Sequence, residues 1–225
     1  MKPIGLLGGT TWVSTQHYYA KLNRAYQDAR GGIASAPMLI HSADFAPIAA
    51  AQAAEDWNAL GEFFGARARE LEVAGAGAIA IGANTLHLCI DAVQNHVDVP
   101  VLHIGDGIAQ ALGRRPTLLL GTAFTMAKPF LRDYLSARGC AIEVPSAEQQ
   151  AWVHDIIYTE LAKERVTQAS RGRFQALAEG FQGEQVLLAC TELGLVLDAD
   201  NCSLPLVDSL DCHVQLLLDY LINQL

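Results

Sequence analysis

Short, uninterrupted apolar runs alternate along this chain with longer stretches in which apolar residues recur every three or four positions. The runs are Ile4–Leu7, Pro37–His41, Ala78–Gly82, Pro100–Ile104, Pro116–Leu120, Ala141–Val144, Val186–Ala189 and Leu204–Val207. Each is strand-sized and continuous rather than alternating, which predicts parallel strands covered by helices on both faces. Leu60, Phe64, Ala68 and Leu71 share one helical face, with Glu62, Arg69, Glu70 and Glu72 at polar positions. Leu210, Val214, Leu217, Leu218, Leu221 and Leu225 repeat that spacing and predict a terminal helix that closes the core. One long helical stretch is expected between Ser146 and Phe181, with Trp152, Ile156, Ile157 and Leu161 on one face. Strands alternating with helices in this way predict an α/β fold with parallel sheets.

The two halves echo each other. Strand-then-glycine occurs at Leu6-Leu7-Gly8-Gly9-Thr10 and again at Leu119-Leu120-Gly121-Thr122. A strand ending in a polar cluster occurs at Ala83-Asn84-Thr85-Leu86 and at Cys190-Thr191-Glu192-Leu193, and a Pro-led strand at Pro100 and Pro205. These landmarks recur in the same order at a spacing of roughly 110 residues. The expectation is two similar α/β lobes, residues 1–105 and 106–225, related by a pseudo-twofold, with the active site in the cleft between them. The C-terminal helix is free to pack back onto the first lobe.

Composition narrows the function. The 225 residues are 51% hydrophobic and 17% charged, which excludes a disordered chain. Fifteen basic against 24 acidic residues leave a formal charge of −9, a balance that repels nucleic acid. No apolar stretch approaches the roughly 18–20 residues of a membrane span, and the N-terminus lacks the apolar core of a secretory signal. Five scattered cysteines do not form a disulfide framework, and the expected location is the cytoplasm.

In open parallel sheets, ligands lie beyond the carboxyl ends of the strands. Four polar clusters fall there: Gly8-Gly9-Thr10, Ala83-Asn84-Thr85, Gly121-Thr122 and Cys190-Thr191-Glu192. Backbone N–H groups at helix starts, with Thr and Asn side chains, suit a carboxylate or phosphate. The competing reading of each Thr or Asn is a helix cap. Gly5, Gly8 and Gly9 match no dinucleotide fingerprint, and no Gly-Lys-Ser/Thr loop, nucleophile elbow or metal-ligand spacing is present. His41 and His103 end strands and are candidates for the cleft lining or for hydrogen-bonded structural roles. Cys190 ends an apolar strand and precedes a short predicted helix. That position predicts a lowered thiol pKa and proton-transfer or nucleophilic work, against the alternative of a buried structural cysteine.

Gly5-Leu6-Leu7-Gly8-Gly9-Thr10, Asn84-Thr85-Leu86-His87, Leu120-Gly121-Thr122 with Thr125-Met126, and Cys190-Thr191-Glu192-Leu193-Gly194 together resemble the aspartate/glutamate racemase family, closest to its L-aspartate/glutamate racemase branch. The resemblance covers essentially the whole chain. It implies two α/β domains, a homodimer, and cofactor-independent transfer of the α-proton of an acidic amino acid, with one acid/base residue on each face. The second acid/base maps onto Cys190. The first maps onto Ala83, where relatives carry Cys or Thr, and a methyl group can neither give nor take a proton. The same resemblance places substrate binding on Thr10, Gln52, Asn84, Thr85, Thr122, Thr191 and Glu192, and implies neither a cofactor nor a metal.

Three readings of Ala83 stand side by side. The first base was replaced deliberately to trap substrate; or a natural variant uses another group or water, with Thr85 and His87 nearby; or the chain runs one-base chemistry. The last has a precedent in the arylmalonate decarboxylases, which resemble a racemase holding only the second-half Cys. A dicarboxylate-binding protein without turnover is the non-enzymatic alternative.

Overall fold

The computed structural model describes residues 1–224, in which all eight apolar runs contribute a strand. The first half runs β1 (Ile4–Gly8), α1 (Trp12–Arg30), β2 (Met38–Ser42), α2 (Phe45–Ala53), α3 (Trp57–Val73) and β3 (Ala78–Ile81). A 3-10 turn (Thr85–Cys89), α4 (Ile90–Gln94) and β4 (Val101–Leu102) complete it. The second half runs α5 (Ile104–Leu112), β5 (Thr117–Gly121), α6 (Ala123–Ala127), α7 (Pro129–Ser136), β6 (Ile142–Glu143) and α8 (Ala147–Thr159). It continues through a 3-10 turn (Leu161–Lys163), α9 (Gln168–Glu179), β7 (Gln185–Ala189), a 3-10 turn (Leu193–Leu195), β8 (Leu206–Asp208) and α10 (Ser209–Ile222).

The strands form two four-stranded sheets, ordered β2-β1-β3-β4 and β6-β5-β7-β8, with every pairing parallel. The same order in both sheets is the structural counterpart of the repeated landmarks. The central strands β1, β3, β5 and β7 are buried along their whole length. Their continuous apolar sequences are therefore what a strand sandwiched between helices requires.

The chain divides into two compact units, Met1–Ile104 with His213–Leu225, and Gly105–Cys212. In the first, Leu7, Ile79 and Ile81 pack against Leu60, Phe64, Ala68 and Leu71 of α3. Burying each of the larger side chains contributes about 1.5–3 kcal/mol. The latter part of α10 belongs to this unit: Leu217 and Leu221 are buried, and the Tyr220 hydroxyl donates to the Gly77 carbonyl at 2.6 Å. The expected second lobe, residues 106–225, thus exceeds the observed unit by the segment from His213 onward. In the second unit Leu118, Leu119, Leu120, Val186 and Leu187 are buried, together with Val153, Ile156 and Phe174.

Three local expectations need correction. The stretch from Ser146 to Phe181 is not one helix: α8 ends at Thr159, Glu164 takes a left-handed conformation (φ 55°), and α9 restarts behind its cap Thr167. Glu160 fixes this break by accepting from Ser170 Oγ at 2.7 Å and Thr167 N at 3.3 Å. The strand expected over Pro100–Ile104 contracts to Val101–Leu102, because the chain turns into α5 at Ile104. The helix expected after Cys190 is only the three-residue 3-10 turn Leu193–Leu195. Elsewhere helix starts follow their sequence signals, with side chains of Thr11, Asp44, Asp56 and Ser146 accepting first-turn N–H groups. Each such cap contributes about 1 kcal/mol. Among the described residues no helix is long and apolar enough to cross a membrane.

Candidate active site

Parallel pairing brings the polar clusters of each sheet to the same edge. In the first unit, β1 pairs with β3 so that Leu7 lies opposite Ile81, and the Gly82 N–H donates to the Leu7 carbonyl at 2.9 Å. The loop after β1 therefore runs beside the loop after β3. Ser14 Oγ and Thr10 Oγ1 both donate to the Gly82 carbonyl, at 3.0 and 3.4 Å, and tie the two loops together. Thr10, Asn84 and Thr85 are all buried. Gly9 adopts φ +83°, and a Cβ there would lie 2.1 Å from the Ala43 backbone, so only glycine permits this approach.

Ala83 packs partly buried against the cluster containing Leu7, Ile81 and Leu86. Its methyl group offers no acid/base function. Gln52 is buried on α2 rather than solvated, but no hydrogen bond joins its side chain to the other candidate residues among those described. His41 lies on β2 beside Phe63, ring centroids 6.3 Å apart. His103 follows β4 and stacks at a tilt on His87, 4.8 Å between centroids.

In the second unit, Gly121 and Ala189 are direct partners on β5 and β7, so Thr122 and Cys190 leave neighbouring strands side by side. Thr122 caps α6: its hydroxyl accepts the Thr125 N–H at 3.3 Å and shares a hydrogen bond with Thr125 Oγ1 at 3.2 Å. Cys190 Sγ donates to Glu192 Oε2 at 3.0 Å, and Thr191 Oγ1 donates to the same oxygen at 2.7 Å. Glu192 is buried, while Cys190 and Thr191 remain partly exposed.

The electrostatics reverse one expectation. Loss of water around the sulfur, followed by the Glu192 carboxylate, pushes the Cys190 thiol well above its ordinary value; Asp208 adds to the effect. The predicted lowering required an aligned helix behind the thiol, and a three-residue turn supplies almost none of that field. Cys190 is accordingly a protonated thiol at neutral pH, an acid hydrogen-bonded to a carboxylate.

Two further residues belong to this cluster. His154 on α8 accepts the Ala123 N–H through Nδ1 at 3.2 Å, which places its own ring proton on Nε2. Tyr158, one turn further, lies against His154 with ring centroids 4.6 Å apart. Burial, then the neighbouring Cys190 and Glu192, push the Tyr158 phenol up, while burial pushes His154 down. Neither stands out in the sequence, where His154 is one of seven scattered histidines and the i, i+4 spacing on a helix is the signal that joins it to Tyr158. Among the described residues no group of three or more His, Cys, Asp or Glu side chains is arranged to hold a metal ion.

The model of the family described as "Asp/Glu/Hydantoin racemase" matches residues 7–217. The broad specificity amino-acid racemase RacX of Bacillus subtilis (strain 168) is 28% identical over 147 residues, 64% of each chain, so the match spans slightly under two thirds of that relative. A provisionally assigned Asp/Glu racemase from Yersinia pestis is similar in structure, with TM-score 0.91 and 31% identity, over 99% of this chain and 100% of that one. An aspartate racemase homologue from Pyrococcus horikoshii OT3 superposes with TM-score 0.84 at 33% identity, again over 99% and 100% of the two chains.

Proposed function

Because the chain belongs to the Asp/Glu/hydantoin racemase family, we propose that it transfers the α-proton of an acidic amino acid without a cofactor, using Cys190 as the proton carrier. The observation that carries this reading is the Cys190–Glu192 pair at the end of β7, beside Thr122 at the end of β5.

The chemistry follows from the pair. At rest the thiol holds its proton and can deliver it to a carbanion at the α-carbon. In the reverse direction the sulfur must be a thiolate. Glu192 opposes that state through its negative charge, and an arriving substrate ammonium would neutralise the carboxylate and relieve the opposition. The substrate thus helps generate its own base. Asn84, Thr85 and Thr122 supply neutral hydroxyl, amide and backbone donors for substrate carboxylates, and Gln52 the distal carboxylate; Thr10 and Thr191, whose hydroxyl protons go to the Gly82 carbonyl and to Glu192, complete the binding set through their backbone. Neutral donors matter in a chain of charge −9, whose overall field repels a dicarboxylate. The homodimer and the cytoplasmic location belong to the same proposal.

Ala83 sets the stereochemical consequence. With one proton carrier, exchange with solvent at the α-carbon proceeds chiefly with retention, and inversion is slow. Incubating each enantiomer of aspartate and glutamate in deuterium oxide tests this reading: exchange of one enantiomer with little inversion is expected. Exchange of none at high enzyme concentration contradicts it.

A second reading is favoured by the protonated state of the thiol. Loss of carbon dioxide from a substituted malonate leaves a carbanion that needs a single proton donor, which Cys190 is at neutral pH. Release of carbon dioxide from a malonate panel, together with inert amino acids, would favour decarboxylation over racemase-type exchange. Binding of dicarboxylates without turnover of any kind would leave only the non-catalytic alternative.

A further inference from the structure

His87 and His213 of the first unit are almost completely buried, and backbone groups set the roles of their ring nitrogens. Nε2 of His87 lies 3.2 Å from the Ile104 N–H and accepts it, so that nitrogen carries no proton. Nδ1 therefore carries the ring proton and donates to the Ala83 carbonyl at 2.9 Å. Burial, then the neighbouring His103, hold the ring neutral by lowering its pKa to about 3. His213 backs this arrangement at 6.1 Å between ring centroids, bonded to the Leu102 carbonyl at 3.1 Å and to the Tyr18 hydroxyl at 2.9 Å.

The imidazole is thus a strut with two fixed ends. One end is the backbone at the start of α5. The other is the carbonyl of Ala83, immediately before Asn84 and Thr85. A peptide group is planar, so fixing the Ala83 carbonyl fixes the whole Ala83–Asn84 unit and the direction in which the chain proceeds from it. Thr85 then opens the 3-10 turn in which His87 itself sits, and the His87 N–H closes back on the Asn84 carbonyl at 3.0 Å.

We propose that His87 is a positioning residue: through the Ala83 carbonyl it sets the orientation in which Asn84 and Thr85 meet the substrate's carboxylate. The proposal rests on the reading of those two side chains as carboxylate donors. The strut needs a donor at the Nδ1 position and an acceptor at the Nε2 position. Asparagine reproduces the first, glutamine the second, and leucine neither.

Three variants of the intact chain, His87→Asn, His87→Gln and His87→Leu, separate positioning from packing. Their Cα-exchange KM and kcat on L-aspartate and L-glutamate are read beside thermal unfolding and the ¹H–¹⁵N resonances of Asn84. All three variants lose thermal stability. His87→Leu raises KM about tenfold or more with a smaller change in kcat, and shifts the Asn84 resonances. His87→Gln resembles it, whereas His87→Asn returns KM to within about threefold of the starting protein. A His87→Leu variant with unchanged KM, or a His87→Asn variant no better than His87→Gln, overturns the proposal. If the starting protein neither binds nor exchanges an acidic amino acid, the functional reading fails. The strut is then judged on Asn84 alone: resonances shifted in His87→Leu and restored in His87→Asn support it, and unmoved resonances overturn it.

Discussion

Cys190 Sγ lies 3.0 Å from Glu192 Oε2, and that same oxygen takes the Thr191 hydroxyl at 2.7 Å. Two adjacent donors thus converge on one buried carboxylate oxygen. The geometry makes the thiol an acid at rest, and the carboxylate is one of the groups that keeps it so.

Replacing Glu192 by Gln removes the negative charge but retains a hydrogen-bond acceptor. The Cys190 pKa should fall, because repulsion of a thiolate by a nearby anion disappears while burial remains. Peptide-resolved alkylation of Cys190 by iodoacetamide across pH 7–10 measures the shift, which should appear as faster modification at a given pH. An unchanged midpoint would mean that burial alone controls the thiol.

Ala83→Cys and Ala83→Thr introduce a proton-carrying group into the loop after β3. Inversion relative to exchange should rise, by roughly 10²-fold for the cysteine given the usual contribution of a positioned acid or base. Chiral chromatography of aspartate and glutamate alongside deuterium incorporation gives the ratio. A ratio unmoved by both substitutions would count against Ala83 as the missing partner.

How far the sequence reaches is clearest from particular elements. The strands are legible because a doubly covered strand needs a continuous apolar run, as in Ile4–Gly8 of β1 and Val186–Ala189 of β7. The extent of β4 is not: Val101 and Leu102 pair with β3, but at Ile104 the N–H goes to His87, a residue 17 positions earlier. The break between α8 and α9 hides because helical periodicity continues on both sides, while the Glu160–Ser170 bond that fixes it spans ten residues. The polar clusters at strand ends could be located from sequence, since each follows directly on an apolar run. The protonation state of Cys190 could not, because it depends first on how far the fold buries the sulfur and then on where Glu192 turns. His87, His103 and His213 look scattered in sequence, and only the return of α10 to the first unit gathers them.

That gathering predicts acid sensitivity. His87 and His213 are held at a pKa of about 3 by burial, then by neighbouring imidazoles, whereas an unfolded histidine titrates near 6.5. The folded values are lower, so the stability they contribute is complete above about pH 6.5 and is lost as the pH falls from there towards 3. Each steepens the decline by about 1.4 kcal/mol per pH unit. Urea unfolding from pH 7.5 to 4.5 should show this slope, reduced by about half in His213→Gln. A flat profile over that range contradicts the buried neutral rings.

Gly9→Ala tests the crossing of the β1 loop past β2. The residue has φ +83°, and the added methyl would meet the Ala43 N and O atoms at 2.1 Å. Backbone strain of this kind costs about 1–3 kcal/mol before any clash is relieved. Urea unfolding should report at least that loss, and an unaffected midpoint would show that the loop has another accessible conformation.

Whether the Cys190 sulfur carries the proton is decided by comparing Cα-deuterium incorporation into aspartate and glutamate by the unaltered protein and by Cys190→Ser at equal folded concentration. Incorporation into one enantiomer by the former and its loss in the latter, with dicarboxylate binding retained, is the expected result. Incorporation that continues undiminished without the sulfur would contradict it.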